Sequence, residues 1–168
     1  LAKLRAASHY MLDLINDILD MSRIDNGRLS LASEPFSLER MLGELQAMMV
    51  SEAQRRGLTY TLEKRIVHAD LVGDVIRLRQ VLTNLLSNAF KFTPVGGSVR
   101  LRVTEEGGED RRAVFTFQVI DTGTGIAPED QKRIFESFEQ VGASHAKSQG
   151  TGLGLAISRS IVQRMGGE

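Results

Sequence analysis

Apolar residues near the start of the chain recur at intervals of three and four. At about 100° per residue, Leu4, Met11, Leu12, Ile15, Ile18 and Leu19 share one face, and His9, Asp13, Asn16 and Asp20 lie opposite. The spacing predicts a helix from Leu1 to about Arg23, stopped by Asn26 and Gly27. An apolar stripe of this length needs a partner helix, most simply in a homodimeric four-helix bundle. A second helix is predicted within "SEPFSLERMLGELQAMMVSEAQRRG", where Leu38, Met41, Leu42, Leu45, Met48 and Met49 repeat at helical spacing and Gly57 ends the run.

The pattern then changes period. "LTYTLEK", with Leu58, Tyr60 and Leu62 alternating against polar neighbours, and "HADLVGD" read as short strands. Asp74 opens a third helix, "VIRLRQVLTNLLSNAFKF", whose buried side is expected to carry Val81, Leu82, Leu85 and Ala89 and which "TPVGG" closes. "SVRLRV" and "AVFTFQVI" alternate as strands around the polar loop "TEEGGEDR", a predicted hairpin. A short helix around "QKRIFESFEQ", a polar stretch to Gly150 and a last helix from about Leu153 complete the order. Helices and strands interleaved with a hairpin argue an α+β fold, a two-layer α/β sandwich with a mixed sheet, preceded by one long helix.

Composition narrows the chemistry. The 168 residues carry 21 Lys plus Arg and 21 Asp plus Glu, so no long-range field favours nucleic acid or an anionic membrane, and any anion site must be local. There is no cysteine, which excludes disulfides, thiol catalysis and cysteine-ligated zinc. No run of eighteen apolar residues is present to span a bilayer. The chain starts at Leu1 inside a helical pattern and stops at "MGGE", so a piece of a longer protein is expected.

Three constellations carry candidate chemistry. Asn84 and Asn88 are four apart and project from one side of their helix, and Lys91 extends that stripe. Two amides and an ammonium beside an apolar face suit a magnesium ion shared with phosphates, or simply solvate a helix edge. In "DTGTGI", Asp121 ends a predicted strand, where α/β folds collect ligands, and Gly123 and Gly125 follow. An ionised carboxylate accepts hydrogen bonds only, so it suits the amino group of adenine and repels the carbonyl oxygen of guanine. A plain Asp-Gly turn reads the same way. In "GTGLGLAIS", Gly150, Gly152 and Gly154 open an apolar helix whose first amides suit phosphate, although the spacing matches neither the dinucleotide fingerprint nor a Walker loop.

Taken in order, "QVLTNLLSNAFKFT", "DTGTGI", "RIFESFEQ" and "GTGLGLAIS" resemble the asparagine, first glycine, phenylalanine and second glycine boxes of sensor histidine kinases, part of the ATP-binding group that includes DNA gyrase and MutL. "INDILDMSRIDNGRLSL" resembles the second helix of that family's dimerisation and phosphotransfer hairpin, which divides the chain into 1–27 and a catalytic domain over 28–168. The resemblance implies ATP and Mg2+ as ligands, with Asn88 on the metal and Asn84 and Lys91 beside the phosphates. It implies Asp121 on adenine, flanked by Gly123, Gly125 and Ile126. Phe135 and Phe138 would anchor a lid that includes Lys147, and Gly150, Thr151, Gly152, Leu153 and Gly154 would face the phosphates.

It further implies a cytoplasmic enzyme that passes the γ-phosphoryl group of ATP to a histidine of the same or a partner subunit, and on to a response-regulator receiver. His9 is not expected to be that histidine. The family's acceptor precedes an acidic residue and a proline on the first hairpin helix, whereas Ser8 and His9 precede Tyr10 and lie near the end of the second. His9 is read as a surface residue beside Asp13, His145 as inert, and the acceptor as outside these residues. Ser137 stands where the phenylalanine box often has proline. Gyrase-type and MutL-type ATPases resemble the same boxes but carry a glutamate base where Asn84 stands, and a silent nucleotide-binding scaffold is the other alternative.

Overall fold

Helix ends follow from local chemistry. The Ser37 hydroxyl accepts from the Arg40 amide at 3.3 Å and starts one helix, which Gly57 ends in the left-handed conformation (φ 67°). Asp74 starts the next helix: Oδ1 accepts from the Arg77 amide and Oδ2 from the Ala32 amide, both at 2.9 Å, so this buried carboxylate is matched on both oxygens. The computed structural model describes residues 2–107, 112–137 and 151–168. Its elements are α1 (Ala2–Asp25), β1 (Glu34–Ser37), α2 (Leu38–Arg56), β2 (Thr59–Arg65), β3 (Asp70–Gly73), α3 (Val75–Phe92), β4 (Ser98–Glu106), β5 (Val114–Asp121), a 3₁₀ turn (Arg133–Phe135) and α4 (Gly154–Arg164).

The chain forms two compact units, Ala32–Gly125, and Leu1–Leu31 with Ile126–Glu168. In the first unit, a three-stranded sheet has the order β2-β4-β5, parallel between β2 and β4 and antiparallel between β4 and β5, which makes it mixed as expected. Alternation puts Val99, Leu101 and Val103 of β4 on the covered face, where they join Leu38, Leu42, Leu45, Leu82, Leu86 and Phe90 in one apolar cluster. Tyr60 meets Phe90 edge to face at 5.8 Å, and its buried hydroxyl has no hydrogen-bond partner among the described residues; burial pushes its pKa up to about 12.

Some details depart from the sequence reading. β1 was not foreseen: it pairs antiparallel with β3, Glu34 opposite Gly73, in a separate two-stranded sheet. The covered side of α3 carries Leu86 and Phe90, whereas Leu85 is half-buried, because the helix turns its 82/86/89/90 ridge into the core. Met48 of α2 is exposed. Around "QKRIFESFEQ" the described residues form a 3₁₀ turn in place of a helix.

In the second unit, α4 packs against α1 and the 3₁₀ turn. Met11, Leu12, Ile15, Ile18 and Leu19 are all exposed, and Asp20, expected on the polar face, is buried. Leu14, Asp17, Met21 and Ile24 are partly covered. Polar contacts tie this unit together: the Thr151 hydroxyl donates to Asp17 Oδ2 at 2.7 Å, the Ser137 hydroxyl donates to Met21 Sδ at 3.8 Å and Arg164 Nη1 donates to the Leu29 carbonyl at 2.9 Å.

Candidate functional site

Within Ala32–Gly125, α3 sets Asn84 and Asn88 one turn apart, both half-buried, so the stripe read from the sequence is present on the helix. The Asn88 carboxamide makes no hydrogen bond to another described residue, while the Ser87 hydroxyl donates to the Asn84 backbone carbonyl at 2.9 Å. Lys91 follows on the last turn with its ammonium 5.0 Å from the Phe92 ring centroid. Partial burial holds the Lys91 pKa below the ordinary lysine value. A desolvated cation strengthens its attraction for any anion that replaces its water.

Asp121 is the last residue of β5 and is exposed. Its Oδ1 accepts from the Gly123 amide at 2.8 Å, and Oδ2 has no partner among the described residues. The following loop is locked to the end of α3: the Thr124 amide donates to the Phe92 carbonyl at 3.3 Å. A Cβ on Gly123 would lie 2.7 Å from both the Phe92 carbonyl oxygen and Asp121 Oδ1, so only glycine fits this approach. Gly125 takes φ 73°, with open space where a Cβ would stand. The loop that carries the lone carboxylate thus sits against the end of the helix that carries the amides.

One residue missed by sequence reading belongs to this framework. A Cβ on Gly97 would meet Thr93 Cγ2 at 2.5 Å and Thr122 Oγ1 at 2.9 Å, so Gly97 is small for packing and not merely a helix stop. Nothing in "TPVGG" separates these two roles, since Thr122 comes from beyond β5.

The other predicted residues lie in the second unit. Ile126 and Phe135 are exposed, and the Arg159 guanidinium stands 5.6 Å from the Phe135 ring centroid. Thr151 and Gly152 precede α4, Leu153 is fully buried and Gly154 is the first helical residue. The Thr151 hydroxyl also accepts from the Leu153 amide at 3.2 Å. Phe138, His145, Lys147, Gly150 and the side chains of His9 and Asp13 lie outside what is described.

Among the described residues no group of three or more His, Asp or Glu side chains is placed to hold a metal ion. The donor set fits a hard cation only in one way: an amide oxygen, waters and the oxygens of a bound phosphate, which is how magnesium is commonly held. A surface groove of about 440 Å³ between α2 and α3, lined by residues such as Met48, Thr83 and Phe90, contains none of the predicted site residues.

A mixed sheet backed by helices, an amide-bearing helix and an aspartate at a strand end followed by glycines define a nucleotide-binding ATPase fold. The histidine kinase-, DNA gyrase B- and HSP90-like ATPase family matches residues 73–168, and the chain belongs to that family. Its relatives are sensor kinases. The histidine-protein kinase BarA of Escherichia coli (strain K12) is 38% identical over 164 residues, 96% of this chain and 18% of that protein. The histidine kinase CikA of Synechococcus elongatus is 41% identical over 164 residues, 96% of this chain and 21% of that protein. Full-length ShkA, solved in complex with AMPPNP, shares the fold with a TM-score of 0.79 and 32% identity over 98% of this chain and 33% of its own. The chain therefore spans about a fifth of the length of the curated relatives it matches, and its domain is of the ATP-binding catalytic type of sensor histidine kinases. Among the described residues no helix is long and apolar enough to cross a membrane.

Proposed function

We propose that the chain binds Mg-ATP and presents its γ-phosphoryl group to a histidine that lies outside residues 1–168, in the cytoplasmic part of a homodimeric sensor kinase. Residues 1–27 are the end of the phosphotransfer hairpin in this reading, and 28–168 the catalytic domain. The observation that carries it is the Asp121 loop: one carboxylate oxygen committed to the Gly123 amide, the other open, and the whole turn pinned to the C-terminal end of α3. Asp121 accepts the adenine amino group. Asn88 offers its oxygen to magnesium, which would neutralise phosphate charge when bound. Asn84 and Lys91 hold the phosphates, and the Gly150, Thr151, Gly152, Leu153 and Gly154 amides receive them at the start of α4.

Phosphoryl transfer is largely positioning and charge neutralisation, so these residues suffice without a nucleophile of the domain's own. The bond from the γ-phosphorus to the bridging oxygen breaks as a phosphorus–nitrogen bond to the acceptor imidazole forms, and ADP leaves. A receiver aspartate then takes the group. The bare apolar stripe of α1 supports a partner helix from the rest of the hairpin.

Purified chain, a separate hairpin bearing the acceptor histidine and labelled Mg-ATP test this directly. Labelled hairpin is expected, and Asn88→Ala abolishes it; transfer unaffected by that change refutes the assignment. The gyrase-type reading predicts steady hydrolysis without a hairpin. It is disfavoured because an amide at position 84 cannot take a proton from water at neutral pH. A silent scaffold predicts no heat with Mg-ADP at millimolar concentration.

A further inference from the structure

The antiparallel ladder between β4 and β5 has Val99 opposite Asp121 as its last full register pair. One residue on, the ladder closes in an unusual way. The Thr122 amide donates to the Ser98 carbonyl at 3.1 Å, as a ladder residue should. The return bond, however, runs from the Ser98 amide to the Thr122 side-chain oxygen at 2.9 Å, and that same hydroxyl reaches the Ser98 carbonyl at 3.4 Å. A hydroxyl stands in for the residue's own carbonyl. The backbone is thereby released to turn at Gly123, whose amide swings back onto Asp121 Oδ1.

This substitution has a steric condition. Thr122 Oγ1 would be 2.9 Å from any Cβ at position 97, so the hydroxyl reaches Ser98 only because Gly97 is bare. Gly97 is itself fixed, its amide donating to the Pro94 carbonyl at 2.9 Å and its carbonyl accepting from the Thr59 amide at 3.0 Å. The turn that follows Asp121 is therefore fixed at two points: Thr122 is clamped to Ser98, and the Thr124 amide donates to the Phe92 carbonyl at 3.3 Å. With Oδ1 held by Gly123, the direction of the open Oδ2 is set by where Thr122 fixes the backbone.

We infer that Thr122 is a positioning residue for purine selection, acting through Asp121, with Gly97 as its steric partner. The inference rests on the assignment of Asp121 to adenine. A carboxylate of fixed direction rewards a hydrogen-bond donor at the purine 6-position and penalises an acceptor there. Released, it rotates, and much of the preference goes with it.

The test compares Mg-ATP and Mg-GTP binding to the full 168-residue chain by calorimetry. Thr122→Val keeps the shape but removes the acceptor for the Ser98 amide, and is expected to weaken ATP by about tenfold, the worth of one such hydrogen bond, with GTP little changed. The ATP-to-GTP preference falls accordingly. Thr122→Ser restores it, and Gly97→Ala lowers it in the same direction as Thr122→Val. A purely structural role weakens both nucleotides in parallel, and that outcome overturns the inference, as does Thr122→Val keeping the wild-type preference. If Thr122→Val fails to fold, the Thr122→Ser and Gly97→Ala preferences decide: wild-type selectivity in folded Gly97→Ala overturns the inference. Wild-type protein that does not prefer ATP sinks the Asp121 assignment itself, and this inference with it.

Discussion

Residues 32–125 and the unit that joins residues 1–31 to 126–168 are held by different forces. The first is organised around a continuous apolar cluster, with Leu38, Leu42, Leu82, Leu86, Leu101 and Val103 all but removed from solvent. The second relies on a short apolar ridge of α4, built from Ala156, Ile157 and Ile161, with Leu153 just before it, together with side-chain hydrogen bonds such as Thr151 to Asp17, and it leaves the apolar stripe of α1 bare. Local stability follows contact with a core, so the first unit is the rigid platform and the second the part expected to open first. The proposed adenine and metal residues belong to the platform. Of the proposed phosphate glycines, Gly152 and Gly154 belong to the second unit, at the start of α4.

The sharpest way to break this contrast is a core truncation. Leu86→Ala on α3 removes a fully buried side chain and is expected to cost about 2–5 kcal/mol, read as a lower denaturant midpoint. A loss no larger than that of a surface change means the cluster does not organise the platform.

Acid comes next. The Glu105 carboxylate of β4 is bonded by the His68 side chain and by the His68 and Val67 amides, which hold its pKa down to about 2 from an ordinary 4.5. A pKa depressed on folding gives stability that is complete above about pH 4.5 and is lost as pH falls through 2. Denaturant midpoints measured against pH should therefore fall across that window, and Glu105→Gln should flatten the slope. An unchanged slope removes Glu105 as a cause.

Smaller still is Asp17→Ala. It deletes the bond from Thr151 and is expected to speed hydrogen exchange of amides 151–157 by up to about tenfold while leaving those of β4 unchanged. Equal acceleration in both units contradicts the division. Leu19→Asp on the exposed stripe of α1 should change stability least, within about 0.5 kcal/mol.

Periodicity revealed the elements of the platform because it depends on local spacing alone. Gly57 and Asp74 were legible as helix ends for the same reason, and Asn84 with Asn88 as neighbours one turn apart. What stayed hidden depends on distant partners. β1 is four residues long with a proline inside, too short to show alternation, and exists through its pairing with β3. Gly97 looks like a helix stop until Thr122, far along the chain, is seen against it. Asp20 read as solvated because it lies opposite the apolar stripe, yet that stripe is bare and Asp20 is the buried one, which the spacing within α1 alone does not show.

Calorimetric titration of the wild type and Asp121→Asn with Mg-ATP tests whether Asp121 holds the adenine. A carboxylate binds a donor more strongly than a neutral amide does, so binding by the wild type and about tenfold weaker binding by the variant are expected. Equal affinity in the two proteins, or no binding by either, would contradict it.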